Sequence, residues 1–201
     1  SNPYRKGQTI FHEGSKPLGL FCVNKGKIKV HKLGKNGKCQ IVRLVREGEL
    51  LGYRVLVSGE PYTASATALE DCVICFIPKN SFFEMLNYNP KLSMHLVKTL
   101  SNDLISAETK IIHLAQKPVK ERLAATLLKL KEFYGFEEDG KTLCVSLTRE
   151  EIANIVGTAT EIIIRLLAEL KKKSIINLQG RKLQITNYEA LVNTANICDY
   201  E

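Results

Sequence analysis

Two short amphipathic helices joined at one glycine, within residues 147–170, constrain this chain more than any other pattern. Thr148 is followed three residues later by Glu151, which is the spacing of a capping box and predicts the start of the first helix. Gly157 is expected to end this helix, because glycine readily adopts the left-handed backbone conformation found there. We therefore expect a helix, a tight turn and a second helix.

The second helix has two chemically different faces. Thr158 or Thr160 is expected to cap its start. Its apolar residues follow the i, i+3, i+4, i+7 spacing of a stripe that faces a core, namely Ile163, Leu166, Leu167 and Leu170. The opposite face carries Thr160, Glu161, Ile164, Arg165 and Ala168. In the major groove an arginine can bond guanine through two hydrogen bonds and a glutamate can accept from cytosine, so this face is suited to base recognition.

Basic residues follow the second helix. Residues 178–185 resemble a two-stranded wing with its tip at Gly180, and the segment from Arg165 to Lys182 holds six basic residues against one acid, Glu169. Most of the net charge of +8 lies before residue 116, so this local cluster locates the phosphate-contacting surface better than the overall charge does. The alternative is an ordinary helical hairpin with a solvated charged face. The order of capped helix, glycine turn, arginine-bearing helix and basic wing favours DNA binding.

The segment resembles the winged helix-turn-helix of the Crp/Fnr family, that of the cyclic AMP receptor protein and the fumarate-nitrate reduction regulator, and the resemblance extends over nearly the whole chain. The residues that carry it are 148–153, Gly157, Glu161, 165–167 and Leu170. The resemblance implies that Glu161 and Arg165 contact bases. It places near the DNA backbone Thr148, Arg149, Thr158, Gln179 and Gly180, with Arg181 and Lys182 beside them in the wing.

Two residues depart from the family pattern. Thr160 stands where the cyclic AMP receptor protein has an arginine, so one of that protein's base contacts is absent. Ile164 stands where the family usually has a small residue, and its side chain is suited to contact a thymine methyl group. The operator is therefore expected to share a G·C element with the family and to differ at neighbouring positions.

The first 80 residues contain many short apolar runs separated by glycines. Residues 28–30, 41–45 and 72–77 are predicted strands, and Asn36 with Gly37 is a strong hairpin signal. Such spacing is typical of a sandwich or double-sheet roll. Residues 11–14, 26–30 and 48–52 resemble turn motifs of the cyclic nucleotide-binding jelly roll.

The ligand site implied by this resemblance has lost both of its charged anchors. Tyr53 stands where the family's ribose-binding glutamate follows Gly52, and Tyr62, before Thr63 and Ala64, stands where an arginine would pair the cyclic phosphate. A buried phosphate without a cation loses its compensation, so cyclic AMP is not expected. Three alternatives remain open, namely a cyclic nucleotide held through Arg54, a roll without any ligand, and a different, less anionic effector.

Cysteine and histidine spacing does not predict a metal or haem site. Cys72 and Cys75 lie in an apparent strand, where their side chains point to opposite faces. The other four, Cys22, Cys39, Cys144 and Cys198, are not clustered, and reduced thiols are the favoured interpretation. Because the chain starts at Ser1 rather than methionine, we expect native residues upstream, where iron–sulfur members of the family carry their cysteines.

Residues 91–113 lack glycine and proline and predict a long helix, with Pro90 in its first turn, where a proline is tolerated. A short helix capped by Ser81 is expected before it. Its apolar stripe is Leu92, Leu96, Leu100, Leu104, Ala107, Ile111 and Leu114. Such a stripe needs a partner, either the roll or a second copy of the chain. The resemblance implies a dimerisation helix, followed by a hinge at residues 116–118 and a helix over 119–134. A homodimer would place two recognition helices on a palindromic operator.

The sequence as a whole predicts an α+β protein made of a β-roll sensor domain at 1–88, a dimerisation helix at 89–115 and a winged helix-turn-helix domain at 116–201. No apolar run approaches membrane-spanning length and no secretory signal is visible, so a cytoplasmic location is expected. We find no nucleophile elbow, P-loop or dinucleotide fingerprint. We predict a dimeric regulator that binds double-stranded DNA and contacts RNA polymerase; the alternative is a cyclic nucleotide-binding regulatory module that acts through protein contacts.

Overall fold

The computed structural model describes residues 1–34 and 37–196. Within these ranges the chain forms two compact units, Ser1–Glu108 and a second that begins at Thr109. The boundary lies inside one long helix. No helix in the described ranges has the length and the apolar character needed to span a membrane.

The first unit is a roll of two four-stranded antiparallel sheets, as predicted. Its strands are β1 (Asn2–Tyr4), β2 (Thr9–Phe11), β3 (Gly19–Lys25), β4 (Ile28–Leu33), β5 (Cys39–Val45), β6 (Leu50–Leu51), β7 (Ser65–Ala68) and β8 (Cys72–Pro78). One sheet has the order β1-β8-β3-β6 and the other β2-β7-β4-β5. The predicted strands at 28–30, 41–45 and 72–77 correspond to β4, β5 and β8. Gly37 has a φ of 75°, while Asn36 of the predicted hairpin turn lies outside the described residues.

Apolar side chains from both sheets fill the roll. The buried cluster consists of Val23, Ile28, Val45, Leu51, Ala66, Ala68, Cys72 and Ile74. Along β8 the buried residues Cys72 and Ile74 alternate with the half-buried Val73 and Cys75, as expected where one face of a strand points into the core. Burial of this face stabilises the roll by about 25 cal/mol for each Å² of apolar surface removed from water.

Three helices accompany the roll, namely α1 (Tyr53–Ser58), α2 (Lys79–Tyr88) and α3 (Pro90–Gln116). A second buried cluster joins them to the outer face of one sheet through Leu20, Tyr53, Leu56, Phe82 and Leu96. The prediction that Ser81 caps α2 is wrong, because Pro78 occupies the cap position and Ser81 lies inside the first turn. Pro90 begins α3 as predicted, at a position where its missing N–H costs no helical hydrogen bond.

Beyond the end of α3, the described part of the second unit contains four helices and a two-stranded hairpin. The elements are α4 (Val119–Tyr134), α5 (Arg149–Val156), α6 (Thr160–Lys172), β9 (Ile176–Gln179), β10 (Lys182–Ile185) and α7 (Tyr188–Ala195). Leu123, Ala124 and Leu127 of α4 are buried, as is Leu191 of α7. The helix predicted at 119–134 and the wing predicted at 178–185 are both present, whereas α7 was not predicted.

Candidate nucleic-acid interface

Helix α5 begins with the predicted capping box. The Oγ1 atom of Thr148 accepts a hydrogen bond from the main-chain N–H of Glu151 at 3.0 Å, and a carboxylate oxygen of Glu151 accepts from the N–H of Thr148 at 2.9 Å. Gly157 ends the helix with a φ of 77°, in the left-handed region where a residue with a Cβ would be strained. These two devices set the length of α5 and hence the position at which α6 starts.

The expected cap of α6 by Thr158 or Thr160 is wrong. Ala159 occupies the cap position in an extended conformation and provides no side-chain hydrogen bond. Thr158 still belongs to the end of α5, because its main-chain N–H donates to the carbonyl of Ala153 at 3.1 Å. Thr160 is already the first helical residue. Glu161 in the first turn instead complements the positive end of the helix dipole.

The two faces of α6 lie as the sequence predicted. The buried side chains are Ile163, Leu166, Leu167 and Leu170. Glu161, Ile164, Arg165 and Ala168 are exposed, with 52% of the Ile164 surface accessible, and Thr160 is half-buried. The predicted base-recognition face is thus a continuous exposed surface. On this surface the exposed Ile164 lies between Glu161 and Arg165. Neither of these two charged residues forms a salt bridge in the described chain.

The structure brings Arg149 of α5 to the tip of the wing. Its Nη2 atom donates to the main-chain carbonyl of Gly180 at 3.0 Å, while its Nη1 atom is buried without a hydrogen-bond partner in the described residues. Strands β9 and β10 pair in register from Ile176 with Ile185 to Gln179 with Lys182. Arg149 therefore positions the wing tip relative to α5. The sequence predicted only that Arg149 lies near the DNA backbone, and not this structural role.

Part of the predicted basic cluster is already paired within the protein. Lys182 lies 2.7 Å from a carboxylate oxygen of Glu137, and this hydrogen bond raises the pKa of Lys182. Glu169 pairs with Lys120 at 2.5 Å and with Lys173 at 3.5 Å, and the bond from Lys120 is the main cause of the lowered Glu169 pKa. Four members of the cluster form no ion pair within residues 1–34 and 37–196, namely Arg165, Lys171, Lys172 and Arg181. These four remain available to phosphates.

Arg122 of α4 supports the turn between α5 and α6, and no sequence pattern indicated this role. Its guanidinium donates to the carbonyl of Val156 at 3.2 Å and to that of Gly157 at 3.3 Å. It also donates to the carbonyls of Lys117 at 3.0 Å and Leu114 at 3.4 Å. The guanidinium thus bonds carbonyl groups at the C-terminal ends of both α3 and α5. The last carbonyls of a helix have no partner within the helix, so this cation supplies their hydrogen bonds.

The site on the roll where the resemblance places a ligand holds a polar network. The buried hydroxyl of Tyr53 accepts from Arg43 at 3.0 Å and donates to Asp103 of α3. Arg54 donates to the same carboxylate from Nε at 2.9 Å and Nη2 at 2.8 Å. Burial, followed by the hydrogen bond to Asp103, raises the pKa of Tyr53. Arg54, the one predicted substitute for the phosphate anchor, is therefore engaged with an acid of α3.

Tyr62 is buried in the same region of the roll, next to Gly52. Its ring stacks on Phe11 with centroids 3.9 Å apart, and burial raises its pKa to about 12. Gly52 has a φ of 86°, and a Cβ added there would lie 3.2 Å from the Tyr62 hydroxyl oxygen. Ala64 is buried and Thr63 is exposed. With a tyrosine in place of each anchor and Arg54 engaged with Asp103, the residues of this site do not fit a cyclic phosphate.

The predicted stripe of α3 divides into two parts. Leu96 and Leu100 pack into the helix cluster of the roll, and Leu92 is half-buried. Leu104, Ala107, Ile111 and Leu114 are exposed, with 61% of Leu104 and 65% of Ile111 accessible. Further exposed apolar residues on α3 were missed by the prediction, namely Met94, Val97, Ile105 and Ile112.

The cysteines in the described ranges are present as free thiols. Cys72 is buried in the roll core and Cys75 lies on the other face of β8, as the strand pattern predicted. Cys198 lies outside the described residues. Within those residues, no group of three or more histidine, cysteine, aspartate or glutamate side chains could hold a metal ion.

Comparison with known proteins covers both units. Residues 2–89 match the family model of the cyclic nucleotide-binding domain, and residues 121–194 match that of the Crp-like helix-turn-helix domain. The chain is 30% identical to Electron transport regulator A of Shewanella oneidensis over 190 residues, which are 94% of this chain and 76% of that protein. It is 29% identical to the Fumarate and nitrate reduction regulatory protein of Escherichia coli K12 over 196 residues, which are 96% and 77% of the two chains.

Solved structures show the same architecture. A transcriptional regulator of the CRP/FNR family from Thermus thermophilus superposes with a TM-score of 0.82 at 27% identity, over 98% of each chain. FixK2 from Bradyrhizobium japonicum superposes with a TM-score of 0.86 at 24% identity, over 98% of this chain and 97% of that one. The second similarity concerns the fold alone.

Proposed function

Because the chain belongs to the Crp/Fnr family of transcription regulators, we propose that it binds a palindromic operator as a homodimer, with α6 of each subunit in a major groove. The chain is a DNA-binding regulator and not an enzyme. The observation that carries the proposal is the face of α6 formed by Glu161, Ile164 and Arg165, which is exposed opposite a fully buried stripe. Such a face is available to base edges without any rearrangement of the core.

Base recognition is assigned to Arg165 and Glu161. Arg165 forms no ion pair in the described chain, so its guanidinium can bond the O6 and N7 atoms of guanine. Glu161 one turn earlier can accept from the amino group of cytosine. Ile164 adds an apolar contact for a thymine methyl group, and Thr160 offers a hydroxyl where the cyclic AMP receptor protein has an arginine.

Phosphate contacts are assigned to the unpaired part of the basic cluster. Lys171, Lys172 and Arg181 are exposed near the end of α6 and at the wing. Each phosphate neutralised by a basic side chain releases counterions, so the affinity should fall steeply with salt. Arg149 contributes differently, since its bond to the Gly180 carbonyl positions the wing tip.

Dimerisation is assigned to the exposed apolar residues of α3. Leu104, Ile111 and Leu114 are exposed on a helix whose Leu96 and Leu100 already pack on the roll. A long helix with such residues gains from covering them against a second copy, and a two-fold dimer matches the symmetry of a palindrome. We further propose that the dimer acts in the cytoplasm and contacts RNA polymerase.

The signal that controls DNA binding is proposed to be something other than a cyclic nucleotide. The pairing of Arg54 with Asp103 and the buried Tyr53 and Tyr62 support this. Isothermal titration with cyclic AMP and cyclic GMP should give no heat of binding at micromolar nucleotide. Micromolar affinity for either nucleotide would instead favour a cyclic nucleotide-binding module and overturn this part of the proposal.

The DNA assignment is tested by selection from a pool of randomised palindromes, followed by binding measurements at several salt concentrations. Arg165→Ala should relax the preference at one base pair and weaken binding to the selected site by about 1–3 kcal/mol. Lys172→Ala is the matched control, because it should weaken binding equally across sequences and lower the salt slope by about 1. An unchanged sequence preference in Arg165→Ala would show that the base-recognition assignment is wrong.

A further inference from the structure

Two cysteines lie directly opposite each other on adjacent strands of the roll. Strand β3 pairs with β8 so that Leu20 is opposite Ile77 and Cys22 is opposite Cys75. Directly opposed residues of an antiparallel pair have their side chains on the same face of the sheet. The thiols of Cys22 and Cys75 therefore share one face, although 53 positions separate them in the chain.

The hydrogen-bond pattern defines the spacing of this pair. Lys79 donates its main-chain N–H to the carbonyl of Leu18 at 2.9 Å, which makes these two residues a hydrogen-bonded pair at the end of the ladder. Such pairs recur at every second position, so Cys22 and Cys75 form one as well. Cα atoms of hydrogen-bonded pairs lie about 5.5 Å apart, which is within the range most common for disulfides, about 5.5–6 Å. Their Cβ atoms, at about 4.5–5.5 Å, must approach to the roughly 3.5–4.5 Å of a disulfide, so a Cys22–Cys75 bond is strained and therefore easily reduced.

Both residues of the pair keep part of their surface exposed. Cys22 and Cys75 are half-buried, in contrast to Cys72, which is buried in the roll core. Of the other half-buried cysteines, Cys39 lies opposite Leu33 across the sheet, and Cys144 is the one cysteine among the described residues of the second unit. The Cys22–Cys75 pair is thus distinguished by register and by access together.

We propose that Cys22 and Cys75 form a reversible disulfide and that this pair is a thiol-oxidation site whose oxidant is a hydroperoxide. The thiolate of one cysteine attacks a peroxide oxygen, the O–O bond breaks, and a sulfenic acid forms with release of water after proton uptake. The second thiol then attacks the sulfenic sulfur, a second water leaves, and the S–S bond forms. In total two thiols and one hydrogen peroxide give one disulfide and two water molecules, and a dithiol reductant reverses the reaction.

The Cys22–Cys75 pair lies beside the buried cluster through which α3 packs on the roll. Leu20 and Ile77, the next pair on the same face, pack with Leu96 of α3. A bond between β3 and β8 would tighten the sheet next to this cluster. Disulfides that are exposed or geometrically strained are the more easily reduced ones, which suits a reversible modification.

The test uses the full reduced chain, one equivalent of hydrogen peroxide and tandem mass spectrometry after alkylation of the remaining thiols under denaturing conditions. The expected product has lost two hydrogens and contains a link between the tryptic peptides that hold Cys22 and Cys75, and dithiothreitol should restore both thiols. Because the second peptide also contains Cys72, fragment ions must place the bond at Cys75.

Matched variants distinguish this pair from the other thiols. Cys75→Ser should abolish the linked product, whereas Cys39→Ser and Cys144→Ser should retain it. Alkylation of both Cys22 and Cys75 after peroxide, sulfinic acid formation at either, or a bond from Cys22 to any other cysteine would overturn the proposal. The measurement involves no DNA, so its result is independent of the proposed regulatory function.

Discussion

Arg122 donates a hydrogen bond from Nη2 to the main-chain carbonyl of Gly157 at 3.3 Å, and so connects α4 to the turn between α5 and α6. Substitution of this arginine by methionine keeps most of the side-chain stem but removes its donors from four carbonyls. Arg122→Met should lower the free energy of unfolding of the second unit by about 2–3 kcal/mol, since hydrogen bonds to charged groups contribute more than neutral ones. Urea unfolding followed by far-UV circular dichroism measures this loss.

Two further variants serve as controls for Arg122→Met. Lys129→Met changes an exposed cation on the same helix and should alter the unfolding free energy by less than about 0.5 kcal/mol. Arg122→Lys keeps the charge but cannot reach four carbonyls with one ammonium group, so it should recover only part of the loss. Equal stability of Arg122→Met and Lys129→Met would contradict the supporting role of Arg122.

The two threonines near the starts of α5 and α6 should respond differently to substitution. Thr148→Ala removes the side-chain acceptor of the capping box and should destabilise the second unit by about 1 kcal/mol. Thr160→Ala is the matched control, because Thr160 lies inside the helix and caps nothing. Thermal unfolding of both variants checks this, and a loss in Thr160→Ala equal to that in Thr148→Ala would refute the difference.

These threonines also illustrate which features can be predicted from the sequence. The capping box of α5 depends on residues three positions apart, so its pattern is visible locally. The start of α6 depends on where α5 ends, and the backbone of Ala159 supplies the cap position without a side-chain signal. Local spacing therefore predicted the existence of both helices and the buried face of α6, but not the cap of α6.

Long-range pairs could not be predicted from spacing. Tyr53 and Asp103 are 50 positions apart and meet because α3 packs on the roll beside α1. Its position in the sequence makes Arg54 a candidate phosphate ligand, but only the fold shows that it pairs with Asp103. The apolar residues of α3 recur with the helical period that the sequence indicated. Periodicity alone, however, does not show which turns of the helix contact the roll, as the turn of Leu96 does.

Tyr62 should make the roll less stable at alkaline pH. Burial raises its pKa to about 12, so between pH about 10 and 12 the folded chain retains a proton that the unfolded chain releases. This contribution to the free energy of unfolding is fully present below the unfolded pKa and is lost as the pH rises through the folded pKa, by up to about 3 kcal/mol. Tyr62→Phe keeps the stack on Phe11 and should reduce this decline, as measured by urea unfolding over that pH range.

The control for this pH effect is Tyr88→Phe, since Tyr88 is almost fully exposed. Its pH profile should follow that of the wild type. Burial also raises the pKa of Tyr53, so Tyr53 adds to the same alkaline loss of stability. The test therefore compares the alkaline fall in the free energy of unfolding between the wild type and Tyr62→Phe. An identical alkaline decline in both would exclude Tyr62 as its source.

Leu104 should be critical for dimerisation, because it is 61% exposed on α3, and Ile111 and Ile112 two turns further along the helix are 65% and 52% exposed. Leu104→Glu would place a carboxylate from each subunit in the proposed interface, where burial of two like charges is strongly unfavourable. Sedimentation velocity should then show a monomer, and affinity for a palindromic operator should fall while affinity for a single half-site changes little, since the two half-sites no longer act together. Leu18→Glu is the matched control, because Leu18 is equally apolar and 76% exposed but lies outside α3. If Leu104→Glu sediments as the wild type does, α3 is not the dimer interface, and the apolar residues around Ile111 and Ile112 need another partner.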